Sequence, residues 1–300
     1  MLTDPLVSLD FGGWFQRVVA LSRRNFARLV PAAALVAVLV AAYIVALVAS
    51  MPNSEEIDRT FTEAGTLSSA GELVTVFWAL GGQLAVTLLI SALLFAAVGA
   101  AFVGAALFVL VRYANGQPST IAQGLLYSRD RVGAFIGWGL LAGLVMVVAL
   151  GLPILPGLLL NSAPLAGIGA ILGALLMLSV AVAAAATLPA VVMIEGGGVR
   201  RCLVLIKGRF WASCGRLLVA GLIYVAYSQL VDRLVMGLLS LTGFTGQLSI
   251  GVVIAAILQA VLLIPAMVVV PAVFLVTYAE LRYWEDRATT TRSLAAQLTG

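Results

Sequence analysis

The stretch "VPAAALVAVLVAAYIVALVAS" (residues 30–50) has 21 residues and no charged side chain. A helix needs about 20 apolar residues to cross the hydrocarbon core of a bilayer, so this stretch predicts a transmembrane helix. The whole chain has the same character, because 62% of its residues are hydrophobic, 10% are charged and its mean hydropathy is +1.13. Soluble proteins carry about 25% charged residues. The composition therefore predicts an all-α integral membrane protein.

Five further apolar runs follow the first one along the chain. They cover residues 73–111, 132–152, 165–194, 212–231 and 249–278. The run 73–111 is about twice as long as one span requires, so it can be one long helix or two spans joined near Gly81-Gly82 or Gly99. The hydropathy pattern alone predicts either six or seven spans.

The positions of the basic residues favour six spans. If 73–111 is one span, 15 of the 17 Lys and Arg residues fall on one side of the membrane, and only Arg59 and Arg233 fall on the other. Cytoplasmic loops carry an excess of basic residues, so the rich side is predicted to be cytoplasmic, with both termini inside. The chain then forms one polytopic domain over residues 1–300, ending in a cytoplasmic tail, residues 279–300.

Two basic segments have the spacing of amphipathic helices. From Val199 to Phe210, apolar residues recur every three or four positions, and Arg200, Arg201, Lys207 and Arg209 fall mainly on the rest of the helical wheel. A second such helix is predicted over residues 11–28, with Arg23 and Arg24 away from its apolar stripe. Helices of this kind lie at the surface of a bilayer.

The two basic segments also align with each other without gaps. The segment "FQRVVALSRRNF" (residues 15–26) matches "VRRCLVLIKGRF" (residues 199–210), and "IAQGLLYSRDRV" (residues 121–132) is a fainter third copy. Each copy precedes a pair of spans, which suggests a threefold repeat of surface helix, span and span. The alternative, that any basic amphipathic helices would align this well, stays open.

Three segments resemble a known family. They are "PAVVMIEGGGVRRCLVLIKGRFW" (residues 189–211), "TYAELRYWEDR" (residues 277–287) and "FQRVVALSRRNFARLV" (residues 15–30). Together they resemble the membrane domain family of glycerophosphoryl diester phosphodiesterases and related six-span bacterial inner-membrane proteins of unknown function. Cys202 stands where that family usually has Ser, and Trp284 interrupts a tail that is usually basic. The resemblance implies a multi-pass protein of the bacterial inner (plasma) membrane, with no substrate or catalytic residue assigned to this part.

The residue inventory argues against an enzyme. The chain contains no histidine, which removes the commonest general base and transition-metal ligand, and its two cysteines are 12 positions apart. A phosphodiesterase catalytic domain would need both histidines and a soluble barrel. No nucleophile–base pair or phosphate loop is evident either. We therefore predict no catalytic residues, no metal site and no cofactor.

The candidate functional residues are charged groups next to the apolar spans. Arg200, Arg201, Lys207, Arg209, Arg23 and Arg24 are predicted to contact anionic lipid headgroups. Glu195 is a candidate functional carboxylate, although at the end of a span it can equally reach the interface without a further role. Nucleic acid is excluded as a partner, because apolar residues interleave the basic ones.

These features predict a non-enzymatic protein that acts with envelope lipids or as a scaffold or subunit of a membrane complex. Its expected partners are membrane lipids and other membrane proteins. The alternative is a transporter or permease subunit for a lipid or other amphipathic substrate. Pro189, Pro265 and Pro271 would break spanning helices for that purpose, but few polar residues lie near them.

Overall fold

The computed structural model describes residues 4–8, 10–50, 93–242 and 250–298. Within these ranges the regular structure is entirely helical. The helices are α1 (Phe11–Ser50), α2 (described over Leu93–Ala114), α3 (Ile121–Gly151), α4 (Leu155–Leu159), α5 (Ala163–Ala190), α6 (Val199–Ile206), α7 (Phe210–Thr242), α8 (Ile250–Glu285) and α9 (Thr291–Gln297). A π-helical turn, Val191–Glu195, continues α5.

Six of the described helices are long and apolar enough to cross a membrane. They are α1, α2, α3, α5, α7 and α8. This finding confirms the predicted all-α bundle with six candidate spans. The choice between one helix and two for residues 73–111 depends mostly on residues 73–92. These residues lie outside the described part of the chain.

The spanning helices expose large apolar side chains along their length. Leu144 on α3, Ile171 on α5 and Leu222 on α7 are 60%, 65% and 61% exposed, and many neighbours on the same helices are similar. Soluble proteins rarely expose contiguous apolar patches larger than a few hundred Å². Hydrocarbon is the environment in which such side chains are stable.

Helix α1 is longer than a single span requires. Its 40 residues extend for about 60 Å at about 1.5 Å per residue, whereas the hydrocarbon core is about 30 Å thick. The sequence predicts a surface helix over residues 11–28 and a separate span over residues 30–50, but the structure has one continuous helix. Pro31 lies inside it and no glycine follows before Ser50. Continuing a formed helix adds one hydrogen bond per residue, so one proline does not end it.

The predicted surface helix over residues 199–210 is interrupted before its end. Helix α6 ends at Ile206, and Gly208 adopts a φ of 85°, a conformation that glycine reaches without steric cost. Helix α7 then begins at Phe210, which places Arg216 on a spanning helix. By contrast, residues 121–132 form the first part of the long helix α3. The three segments that align in sequence therefore have different structural surroundings, and the threefold repeat stays a prediction.

The chain divides into two compact units. Unit 1 comprises Met1–Ala32, Gly99–Ala226 and Pro265–Gly300, and unit 2 comprises Ala33–Val98 and Tyr227–Ile264. The boundaries fall inside α1, α2, α7 and α8, so the prediction of one polytopic domain over residues 1–300 stays a prediction.

Unit 2 packs through small residues. Ala37 and Ala41 of α1 are buried in one cluster with Ala256 and Ala260 of α8. Small side chains let helix backbones approach closely in a membrane. The packing of unit 2 is therefore the close, alanine-lined kind that is common between transmembrane helices.

Unit 1 contains a glycine-packed hairpin made by α3, α4 and α5. A Cβ atom on Gly169 would lie 2.1 Å from the carbonyl oxygen of Pro153, and one on Gly173 would lie 2.5 Å from that of Leu150. These distances are far below van der Waals contact, so only glycine allows this approach. The hairpin depends on these two positions.

Candidate functional site

The carboxylate of Glu195 is a point of convergence in unit 1. Glu195 ends the π-helical turn, and Gly196 follows it in the left-handed conformation with a φ of 66°. Its Oε2 accepts a hydrogen bond from Nε of Arg201 at 2.6 Å, and its Oε1 accepts one from the hydroxyl of Tyr278 at 2.5 Å. Nε of Arg282 lies 3.3 Å from the same Oε1. Single π-helical turns inside helices are frequent at functional sites.

Arg201 extends these contacts to the end of α8. Its two terminal nitrogens donate to the two carboxylate oxygens of Glu285 at 2.5 and 2.6 Å, a bidentate arrangement. Arg282 donates to Glu285 as well, at 2.8 Å. The hydrogen bond with Glu285 is the main reason that the pKa of Arg201 is raised above its usual value. We call Glu195, Arg201, Tyr278, Arg282 and Glu285 the Glu195 network.

A second ion pair is more deeply buried. Nη2 of Arg216 on α7 lies 2.8 Å from Oε1 of Glu280 on α8, and the two side chains are 7% and 1% exposed. Burying two charges is costly unless they pair, so this contact locks the register of α7 against α8 in unit 1.

The two ends of the chain are joined in unit 1. The Asp4 carboxylate accepts hydrogen bonds from the backbone N–H and the hydroxyl of Thr291, and the indole N–H of Trp14 donates to Thr277 at 3.0 Å. Burial acts to raise the pKa of Asp4, but hydrogen bonds from Thr291 and from the backbone N–H groups of Leu6 and Val7 outweigh it, so that pKa lies below its usual value. The N-terminal segment and α9 are therefore held together by an ionised carboxylate.

The predicted site residues have two kinds of surroundings. Arg201 and Glu195 are brought together in the network, and the guanidinium of Arg209 lies over the ring of Trp284. The remaining four are exposed and form no ion pair with another described residue: Arg23, Arg24, Arg200 and Lys207. The thiol of Cys202 is buried, which raises its pKa.

The site residues on α8 were not anticipated from the sequence. Tyr278, Arg282 and Glu285 are spaced by four and three positions, which places them on one face of a helix. All three residues lie inside the motif "TYAELRYWEDR", so a search for polar side chains on one helical face would have found these residues. The motif at residues 189–211 and this one are far apart in sequence, and the structure joins them through Glu195, Arg201 and Glu285.

Six apolar helices with lipid-compatible surfaces define a polytopic α-helical membrane protein. No family model, curated protein or solved structure matches the chain. The resemblance to the membrane domain of glycerophosphoryl diester phosphodiesterases therefore stays a prediction. In the described part of the chain, no three His, Cys, Asp or Glu side chains are grouped so that they could hold a metal ion.

Removing the charge of Glu195 should loosen the network. We expect Glu195→Gln to lower the free energy of unfolding by about 2 kcal/mol, because a hydrogen bond to a charged group contributes about 1.5–3 kcal/mol. The matched control is Asp286→Asn, whose exposed carboxylate accepts a hydrogen bond from the backbone N–H of Ala288. Equilibrium unfolding in detergent measures both variants. Equal stabilities for the two would contradict a structural role for the network.

Proposed function

We propose that this protein is a non-enzymatic component of the bacterial inner membrane that binds anionic lipid headgroups and acts with envelope lipids or as a scaffold of a membrane complex. One observation carries the proposal. Arg23 and Arg24 on α1, Arg200 on α6 and Lys207 just after α6 are exposed, and no described residue pairs with them. We call these four residues the free basic set.

The apolar neighbours of the free basic set support a lipid partner. Phe26, Leu203 and Trp211 are 41%, 55% and 80% exposed. Aromatic residues are enriched at the level of the headgroups, where basic side chains meet phosphates. A soluble anionic partner would explain the charges but not the apolar side chains beside them.

The distribution of basic residues supports an orientation. Fifteen of the 17 Lys and Arg residues fall on one side in the six-span topology. We propose that this side is cytoplasmic, with both termini inside, because the positive-inside rule orients multi-span proteins in this way. The free basic set then faces the leaflet whose anionic lipids attract juxtamembrane basic residues.

A polar pair in unit 2 favours the alternative function, a transporter of an amphipathic substrate. The side-chain amide of Gln259 on α8 donates to the carboxylate of Asp232 on α7 at 2.6 Å. Unit 2 also has an apolar groove of about 530 Å³ between α1 and α8, lined by residues such as Ala37, Ala41 and Ile257. Ionisable groups within spanning helices often mark substrate pathways. The test places the purified protein in vesicles that contain a fluorescent phospholipid and measures movement of that lipid across the bilayer. Movement that Asp232→Asn abolishes would favour the transporter.

Lipid retention tests the proposed function. We expect replacement of the free basic set by Gln to reduce the anionic phospholipid that copurifies with the folded protein at least tenfold. Each basic residue near an anionic surface contributes about 1 kcal/mol, and about 1.4 kcal/mol is a factor of ten. The control is Arg233→Gln, which removes an exposed charge predicted to face the other side of the membrane. Lipid extraction and mass spectrometry of both variants measure the effect, and unchanged retention would refute the proposal.

A further inference from the structure

Two arginine side chains stack on one tryptophan in unit 1. The central guanidinium carbon of Arg209, in the turn before α7, lies 3.4 Å from the centroid of the Trp284 ring. That of Arg287, just after α8, lies 3.7 Å from the same centroid. The two positive charges are therefore no farther apart than the sum of these distances. We call Arg209, Trp284 and Arg287 the Trp284 cluster.

The carboxylates around the Trp284 cluster are engaged elsewhere. Glu280 is paired with Arg216, Glu285 with Arg201 and Arg282, and Asp286 accepts a hydrogen bond from the backbone N–H of Ala288. Among the described residues, no carboxylate lies within ion-pair distance of Arg209 or Arg287. Two like charges are thus held close together with no described carboxylate at ion-pair distance, and the buried Glu280, which already pairs with Arg216, attracts Arg209 only from farther away. A bound anion would offset the repulsion between the two arginines.

The cluster also has hydrogen-bond donors without acceptors. A guanidinium that stacks on a ring uses its flat face, which leaves the N–H groups at its edges free to donate. The indole Nε1 of Trp284 is buried and has no hydrogen-bond partner among the described residues. Buried donors are nearly always satisfied in proteins, so an acceptor from outside the described residues is expected at this N–H. An oxyanion supplies both the negative charge and the acceptors.

We propose that the Trp284 cluster is a binding site for a phosphate group, with the phosphomonoester of a lipid headgroup or inorganic phosphate as its ligand. Arginine forks match the geometry of phosphate oxygens in bidentate fashion. The cluster lies where α7 begins and α8 ends, and stacking on Trp284 holds its two arginines in place before any ligand arrives. The assignment of a lipid headgroup as the ligand rests on the proposed function, whereas the affinity of the cluster for phosphate does not.

Binding of two ligands to the purified full-length protein tests the site. The first ligand is inorganic phosphate and the second is phosphatidic acid in mixed detergent micelles, and calorimetry measures the binding of both. We expect saturable phosphate binding that the double variant Arg209→Gln/Arg287→Gln weakens at least tenfold. The matched control Arg129→Gln/Arg292→Gln removes two exposed charges outside both the Trp284 cluster and the free basic set, and it should weaken phosphate binding less than twofold.

Each outcome decides the proposal. Equal losses in the two double variants, or no saturable phosphate binding by the unmodified protein, would overturn it. Loss of binding to both phosphate and phosphatidic acid in the Arg209/Arg287 variant identifies a lipid phosphomonoester, and loss of phosphate binding alone identifies free phosphate. If the double variant does not fold, Trp284→Phe removes the indole N–H and part of the aromatic face on which the two arginines stack, and it should still weaken phosphate binding. Failure of the proposed lipid function appears instead in the free basic set, whose substitution would leave lipid retention unchanged.

Discussion

Replacing Glu280 by Gln is expected to lower the free energy of unfolding by about 3–5 kcal/mol, because it leaves the guanidinium of Arg216 buried without its partner. The two side chains are 1% and 7% exposed, so water cannot take over the role of the carboxylate. The double substitution Arg216→Met/Glu280→Leu should recover most of this loss. It removes both charges and fills their space with apolar groups, and such exchanges are often neutral or stabilising.

Equilibrium unfolding in detergent measures these variants. The matched control is Asp130→Asn, which neutralises an exposed carboxylate on α3 and should change stability by less than about 0.5 kcal/mol. If the double variant were less stable than Glu280→Gln, the loss would come from packing at these positions and not from an unpaired charge.

Replacing Gly169 by Ala is expected to destabilise the hairpin of α3, α4 and α5 by about 3 kcal/mol, at the upper end of what overpacking usually costs. The new Cβ would lie 2.1 Å from the carbonyl oxygen of Pro153 and 3.0 Å from Cα of Ile154, and backbone atoms cannot move aside as a side-chain end can. The helices of the hairpin would have to separate.

Gly167 is the matched control for Gly169. It lies on the same helix, and a Cβ atom there would meet nothing within 4 Å. Alanine also favours helix over glycine by about 0.5–1 kcal/mol, so Gly167→Ala should be neutral or stabilising. Thermal unfolding in one detergent compares the two variants. A Gly169→Ala protein as stable as Gly167→Ala would show that the hairpin is not closely packed at Pro153.

The helix boundaries show where sequence reasoning stops. The turn at Gly208 depends on a local conformation that glycine favours, yet the hydrophobic period alone predicted an unbroken surface helix over residues 199–210. At α1 the sequence predicted two helices where the structure has one. A change from basic to apolar side chains does not interrupt backbone hydrogen bonds. Side-chain polarity determines which environment a helix residue meets, but not where the helix ends.

The site was only partly predictable. Glu195 and Arg201 were both singled out as charged groups next to a span, but Arg201 was expected to face lipid and its described partners are carboxylates. Its partner Glu285 lies 84 positions away in the chain. A charged residue looks the same in a sequence whether it faces lipid headgroups or a second helix. The sequence therefore could not show which basic residues pair with a carboxylate and which are exposed.

The sequence by itself determined the class of this protein and its six candidate spans. The class follows from hydrophobic length, because the bilayer requires about 20 apolar residues wherever a helix crosses it, and the choice of six spans follows from the positions of the basic residues. Only the tertiary structure decided which charges are paired, as in Arg216 with Glu280, and which have no ion-pair partner among the described residues, as in Arg200 and Lys207. The physical reason is that hydrophobic burial has no direction, whereas an ion pair forms only when two particular helix faces meet at the right height and rotation.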